Sequence, residues 1–321
     1  GGFMGASYTD MVQGLLMLAA LVAVPIVAIT NMGGLDHVTD AVANVRPDAL
    51  GLFAGTTFIG IASALAWGLG YFGQPHIIVR FMALRTPEDA KAGRRIGMSW
   101  MLLTVVGSIS TAFVGVAYFA THPEVSLTDK ESAETVFLDL AQILFHPFIA
   151  GMILAAVLAA IMSTLSSQLV VCSSALVEDL YGVFVKKKLS SNQSLWLGRA
   201  GVAIVAVIAT LMALDKNNSI LSLVEFAWAG FGSAFGPIVI LSLYWRKLTL
   251  PGAVSGMVVG AVVTFFWRQI FNLTETIDVY EMIPGFFLAF LVTVVVSLAT
   301  YQKNEEIEQE FDKAAELAKA G

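Results

Sequence analysis

Charge is scarce in this chain. Only 13% of its 321 residues are Asp, Glu, Lys or Arg, about half the share of an ordinary soluble domain. So few charges cannot cover the surface of a water-soluble body this large, which excludes a soluble enzyme. Cysteine is scarcer still. Cys172 stands alone, which excludes a disulfide framework and any cysteine-held metal cluster. The net charge is −6, so there is no basic face for nucleic acid. Paired carboxylates and His/Glu metal spacings are also missing, and nothing marks the chain as an enzyme. No P-loop, glycine-rich nucleotide fingerprint or kinase-like segment is present, so any transport would draw on an ion gradient and no organic cofactor is implied.

What the chain has is long apolar runs. Hydrophobic residues make up 57% of it, clustered in blocks of about 20, the length of helix that crosses a hydrocarbon core. Eight spans are predicted, near Met11–Thr30, Leu52–Val79, Met98–Ala120, Phe148–Leu180, Leu195–Leu214, Ile220–Trp245, Gly252–Phe271 and Met282–Tyr301. The fold class is an all-α polytopic membrane protein with the lipid bilayer as its solvent. The second and fourth spans exceed what a bilayer needs, so they must tilt, break or extend beyond it.

Basic residues set the direction. Arg80, Arg85, Lys91, Arg94, Arg95, Lys186, Lys187, Lys188, Arg199, Arg246, Lys247, Lys303, Lys313 and Lys319 fall on one side if eight spans alternate, which is 14 of the 18 Lys and Arg. Arg46, Lys130, Lys216 and Arg268 are the remainder. Both ends of the chain, including the tail 302–321, are therefore expected in the cytoplasm, with the spans in the inner (plasma) membrane. Glu134–His146 places Val136, Leu140, Ile143 and Leu144 on one helical face and is expected as an amphipathic helix on the outer surface. The tail, with Ile307, Phe311 and Leu317 among many charges, is expected as a solvated helix.

Two segments could carry membrane chemistry. The run Ala66-Trp67-Gly68-Leu69-Gly70-Tyr71-Phe72-Gly73-Gln74-Pro75-His76 packs three glycines and a proline into mid-span. Glycine and proline are the poorest helix formers. A break at Gly68–Gly73 is expected, with Pro75 in the first turn of a second half-helix. Two half-helix ends would offer opposite partial charges to a small polar solute. The alternative is close helix packing through small residues. The second segment is Ala159-Ala160-Ile161-Met162-Ser163-Thr164-Leu165-Ser166-Ser167-Gln168. Hydroxyls offer oxygen to a hard cation; Ser163 and Ser167 share one face, Thr164 and Gln168 the next. On pattern alone, hydroxyls bonding within their own helix are the better reading. Ionisable residues near the spans are few: Asp10, His76, Glu178, Asp179 and Glu225. Asp10 lies at the cytoplasmic mouth of the first span, a candidate for gating or coupling or simply a solvated carboxylate.

These residues carry a resemblance. Gly1-Gly2-Phe3 with Tyr8-Thr9-Asp10-Met11-Val12-Gln13, the Trp67–His76 run with Arg80-Phe81-Met82, Met162-Ser163-Thr164-Leu165-Ser166, Cys172-Ser173-Ser174, Glu178-Asp179-Leu180-Tyr181 and Ala227-Trp228-Ala229-Gly230-Phe231-Gly232 resemble the sodium:solute symporter family, its proline-carrying members most of all. The resemblance implies a leucine-transporter-type inverted-repeat fold of thirteen spans. This chain would be one incomplete transmembrane domain, 1–321, holding core helices five to ten and two peripheral helices. The absence of an initiator Met fits a chain entered midway, without core helix one. The implied activity is sodium influx coupled to L-proline uptake, with sodium as coupling ion. Other solutes (pantothenate, a sugar, another amino acid) and a sensory membrane domain are the alternatives. The resemblance assigns Trp67, Tyr71 and Pro75 to substrate. It gives sodium the hydroxyls of Ser163 and Thr164 and the carbonyl of Ala160, reversing the reading from pattern alone.

Overall fold

The computed structural model describes residues 2–122, 133–181, 190–214, 220–271 and 279–320. Of the basic residues that set the direction, Lys186, Lys187 and Lys188 lie outside the described residues, as do Lys130 and Lys216 of the remainder. The described residues are almost wholly helical and contain no strand. Seven helices among them are long and apolar enough to cross a membrane. The eighth expected span is present in pieces.

The chain divides into two compact units, 1–54 with 95–216, and 55–94 with 217–321. The first contains α1 (Gly2–Asn31), α2 (Leu35–Val45), most of α5 (Pro87–Thr121), α6 (Val136–Leu144), α7 (Pro147–Ser174) and α8 (Ser191–Ala213). Its core joins Ala20, Val24 and Ala28 of α1, Val38 and Val42 of α2, Val114 and Ala117 of α5, Leu140 of α6, and Ile153 and Ala156 of α7. Small residues dominate because hydrocarbon gives apolar faces no reason to associate; close packing must do it. Pro25 inside α1 has no N–H for the carbonyl of Leu21. Gly107 lies against that carbonyl, where a Cβ would sit 3.0 Å from the oxygen.

Two features differ from the sequence expectation. Helix α6 is shorter than expected, and its apolar face is built into the core through Leu140 and Ala141 rather than lying on the surface, while Ile143 is exposed. Residues 35–45 form an amphipathic helix that hydropathy passed over, because only Val38 and Val42 face inward. Helix α7 runs into a π-helical turn, Ala175–Leu180, which takes up the surplus length of the fourth span.

The second unit contains α3 (Phe58–Ala66), a 3-10 turn (Trp67–Gly73), α4 (Pro75–Met82), α9 (Ile220–Tyr244), α10 (Leu250–Phe271), α11 (Met282–Thr300) and α12 (Glu305–Ala320). Helices α10 and α11 zip through small residues. A Cβ on Gly252 would strike Ser297, one on Gly256 would strike Thr293, and one on Gly285 would strike Thr264. Four residues beyond Gly256, Gly260 turns instead to α9, where a Cβ would strike the Ser233 backbone. Thr249 caps α10 by accepting from Gly252 N at 3.3 Å. Helix α12 is not wholly solvated: Phe311 and Asp312 are half-buried, and the Arg246 guanidinium meets both the Asp312 carboxylate and the Phe311 ring.

Candidate functional site

The second expected span is interrupted where the glycines fall. Helix α3 ends at Ala66, the chain tightens into the 3-10 turn, Gln74 is extended (φ −80°, ψ 114°), and Pro75 opens α4. Proline suits that place because a first-turn N–H has no helical acceptor. Glycine is required at two positions by close approach. At Gly70 a Cβ would overlap the Trp228 indole, and at Gly73 it would strike the backbone of Phe231 and Gly232. The break is therefore seated against α9.

Two further aromatic rings, Trp228 and Tyr280, gather on Trp67 and Tyr71. Trp67 stacks on Trp228 (centroids 5.8 Å, 19°) and on Tyr280 (6.1 Å, 13°), while Tyr71 meets Trp228 edge-on at 4.9 Å. The Trp228 indole N–H donates to the Trp67 carbonyl at 2.9 Å. The Gln74 amide, buried at 4% exposure, donates to the carbonyls of Gly70 (3.2 Å) and Trp228 (3.3 Å). Tyr280 is fixed in turn, its hydroxyl donating to Glu225 O at 2.9 Å and its N–H to Ser63 Oγ at 3.2 Å. Tyr71 keeps 38% of its surface exposed, so an aromatic face remains available beside the break.

In the other unit, α1 and α7 bring a carboxylate to the hydroxyl segment. Ser163 Oγ donates to Asp10 Oδ1 at 2.5 Å, and Ser167 Oγ reaches Asp10 Oδ2 at 3.5 Å. The four-residue spacing that put Ser163 and Ser167 on one face makes them a pair, one to each carboxylate oxygen. Thr164, one position on, is exposed, and Ala160 is half-buried one turn before it. Asp10 thus belongs to an oxygen cluster within a span, where an ionisable group needs such partners.

The sequence profile of the sodium:solute symporter family matches residues 1–260. The chain belongs to that family. It is similar to the high-affinity proline transporter PutP of Bacillus subtilis, at 47% identity over 97% of this chain and 64% of the relative. It is 50% identical to the osmoregulated proline transporter OpuE of the same organism, over 94% of this chain and 60% of that one. With the sodium/proline symporter of Escherichia coli it shares 43% identity, over 98% and 62%. The chain thus spans about three fifths of the length of these curated relatives. A solved structure, the substrate-bound outward-open state of a Na+-coupled sialic acid symporter, superposes with TM-score 0.72 at 18% identity, over 95% of this chain and 64% of that one. At that identity the likeness establishes a shared fold.

Within this chain of the symporter family, sequence reasoning identified the break and the hydroxyl helix but not what holds them. Trp228 stood in a family motif without a role, and Gln74 inside the break motif likewise. Ser167 was visible as a partner of Ser163 by spacing, yet its link to Asp10 crosses 157 positions. Tyr280 belonged to no motif, and no signal in the sequence pointed to it.

Proposed function

We propose that this chain serves sodium-coupled uptake of L-proline, with both its ends on the cytoplasmic side of the inner membrane. The observation that carries the reading is the broken helix at Trp67–Gly73, found in a chain whose curated relatives are named as proline transporters. Trp67, Tyr71 and Pro75 are the substrate residues in this reading. The rings of Trp67 and Tyr71 supply apolar contact for a pyrrolidine, and a secondary ammonium is attracted to an aromatic face. The half-helix ends flanking the turn offer partial charges to a zwitterion.

Sodium is the coupling ion, held in this reading by Ser163 and Thr164 hydroxyls and the Ala160 carbonyl, with Asp10 as the coupling group. The Asp10–Ser163–Ser167 cluster supports a cation here for a physical reason. A hydroxyl that donates to a carboxylate keeps lone pairs for an ion. The carboxylate supplies the neutralising charge that serine oxygens lack, and hard cations take oxygen ligands. Occupancy of such a site and of the substrate site are linked reciprocally wherever one favours the other.

The test is uptake of labelled proline by the gene-encoded protein reconstituted in liposomes. An inward sodium gradient should drive accumulation that choline in place of sodium does not. Uptake indifferent to sodium, or accumulation of another solute with proline ignored, would refute the assignment. External labelling of Asp36→Cys, with no external labelling of Lys247→Cys, would support the orientation; the reverse pattern would invert it.

A further inference from the structure

We propose that Trp228 and Gln74 are positioning residues, which hold the break at Trp67–Gly73 in the shape that presents Trp67, Tyr71 and Pro75 to the solute. The proposal rests on the substrate reading of those three residues and adds what sets their geometry.

A 3-10 turn holds its carbonyls in poorer hydrogen-bond geometry than an α-helix does. Hydrocarbon offers no donor to compensate, so a break in a span survives where protein groups take up its backbone. Two side chains do so here. Trp228 of α9 donates its indole N–H to the Trp67 carbonyl at 2.9 Å, at the first residue of the turn. Gln74, the residue after the turn, donates to the Gly70 carbonyl and across to the Trp228 carbonyl. The lock is reciprocal: each element contributes a side chain to the backbone of the other. Close contact makes it tight, since Gly232 leaves only enough room for Gly70, with a Cβ on Gly232 falling 2.8 Å from the Gly70 Cα.

Each proposed substrate residue adjoins this lock. Trp67 is held through its carbonyl and by stacking on Trp228, and the edge of Tyr71 rests on the same indole. Pro75 follows Gln74 directly. A shift of the Trp228 ring would therefore move both aromatic groups that face the solute, whereas a ring merely filling space would need no bond to Trp67 and no answering amide from Gln74.

The experiment compares three variants of the gene-encoded protein in saturating sodium. Trp228→Phe keeps a ring and removes the N–H. Gln74→Met keeps the length and removes the amide. Ser255→Ala is the control, because its hydroxyl also donates to a backbone carbonyl, Pro251 O at 2.8 Å, on α10 and away from the turn. Two quantities are read: the proline dissociation constant by equilibrium binding, and amide hydrogen exchange of residues 67–74. Trp228→Phe and Gln74→Met should each weaken proline about tenfold, the loss of roughly one hydrogen bond. Both should speed exchange in the turn, and Ser255→Ala should do neither. Because the two bonds form one unit, the double variant should fall well short of the product of the single effects. Faster exchange with unchanged proline affinity would show that the lock shapes the turn without serving the solute, and would overturn the proposal. Unchanged exchange, or an equal loss of affinity in Ser255→Ala, would overturn it too. If the unsubstituted protein binds no proline, the substrate reading fails, and the exchange rates alone still decide whether the lock exists.

Discussion

The break at Trp67–Gly73 and the oxygen cluster at Asp10 solve opposite problems. The first exposes backbone inside a span and must find donors for it; it uses an indole, an amide and three close glycine contacts. The second places a carboxylate in a span and must find donors for a charge; it uses two serine hydroxyls one helical turn apart. Shape controls the first, so it should respond to volume. Charge controls the second, so it should respond to the loss of an oxygen. Substitutions that separate volume from charge can break or sharpen this contrast.

The largest effect is expected at Asp10. Asp10→Asn keeps the volume and removes the charge, with about 1.5–3 kcal/mol at stake in each charged hydrogen bond. The sodium concentration for half-maximal uptake should rise about a hundredfold or more, read from uptake against sodium at fixed proline. A variant with near-normal sodium dependence would reduce Asp10 to a solvated carboxylate.

Next comes the ranking among hydroxyls. Ser163→Ala loses the 2.5 Å bond to Asp10 and should weaken sodium dependence about ten- to hundredfold. Ser167→Ala loses a contact at 3.5 Å and should cost only a few-fold, since hydrogen bonds of that length are weak. Thr164→Ala decides between two accounts. An effect as large as that of Ser163→Ala supports Thr164 as a sodium ligand, and none leaves the cluster to Asp10 and the serines. The same sodium titration reads all three.

Volume should govern the break. Gly70→Ala puts a methyl group into the Trp228 indole, whereas nothing lies within 4 Å of a Cβ on Gly68. Overpacking costs about 1–3 kcal/mol, so Gly70→Ala should lower the melting temperature in detergent and weaken proline binding. Gly68→Ala should leave both unchanged. Equal behaviour of the two would contradict the seating of the turn on α9.

The smallest effect belongs to the tail. Arg246 and Asp312 are 51% and 46% exposed, and ion pairs so open to water contribute less than about 1 kcal/mol. Asp312→Asn should leave melting temperature and uptake within error of the unsubstituted protein.

Local composition carried much of this into the sequence. The break was legible because glycine and proline act through their own backbone: three glycines and Pro75 within eight positions specify an interruption whatever packs around them. Apolar runs specified the uninterrupted spans in the same way, and α11 begins where hydropathy placed it, at Met282. The lock and the oxygen cluster were not legible, because both depend on contacts between distant residues. Trp228 meets Trp67 across 161 positions and Asp10 meets Ser163 across 153, and no periodicity records such pairings. Ser163 was assigned by family resemblance, since by pattern alone its hydroxyl would have turned back on its own helix. Helix α6 was misjudged for a related reason: an amphipathic stripe shows that one face is covered, not whether lipid headgroups or protein cover it.

On the proposed function, a sodium site at the oxygen cluster is thermodynamically linked to a proline site at the break. The most direct measurement is the proline dissociation constant of the gene-encoded protein at low and at saturating sodium, with Asp10→Asn beside it. Linkage predicts that sodium tightens proline binding, that proline tightens sodium binding by the same factor, and that Asp10→Asn removes most of both effects. A proline affinity that does not change with sodium, or a sodium effect that survives intact in Asp10→Asn, would contradict it.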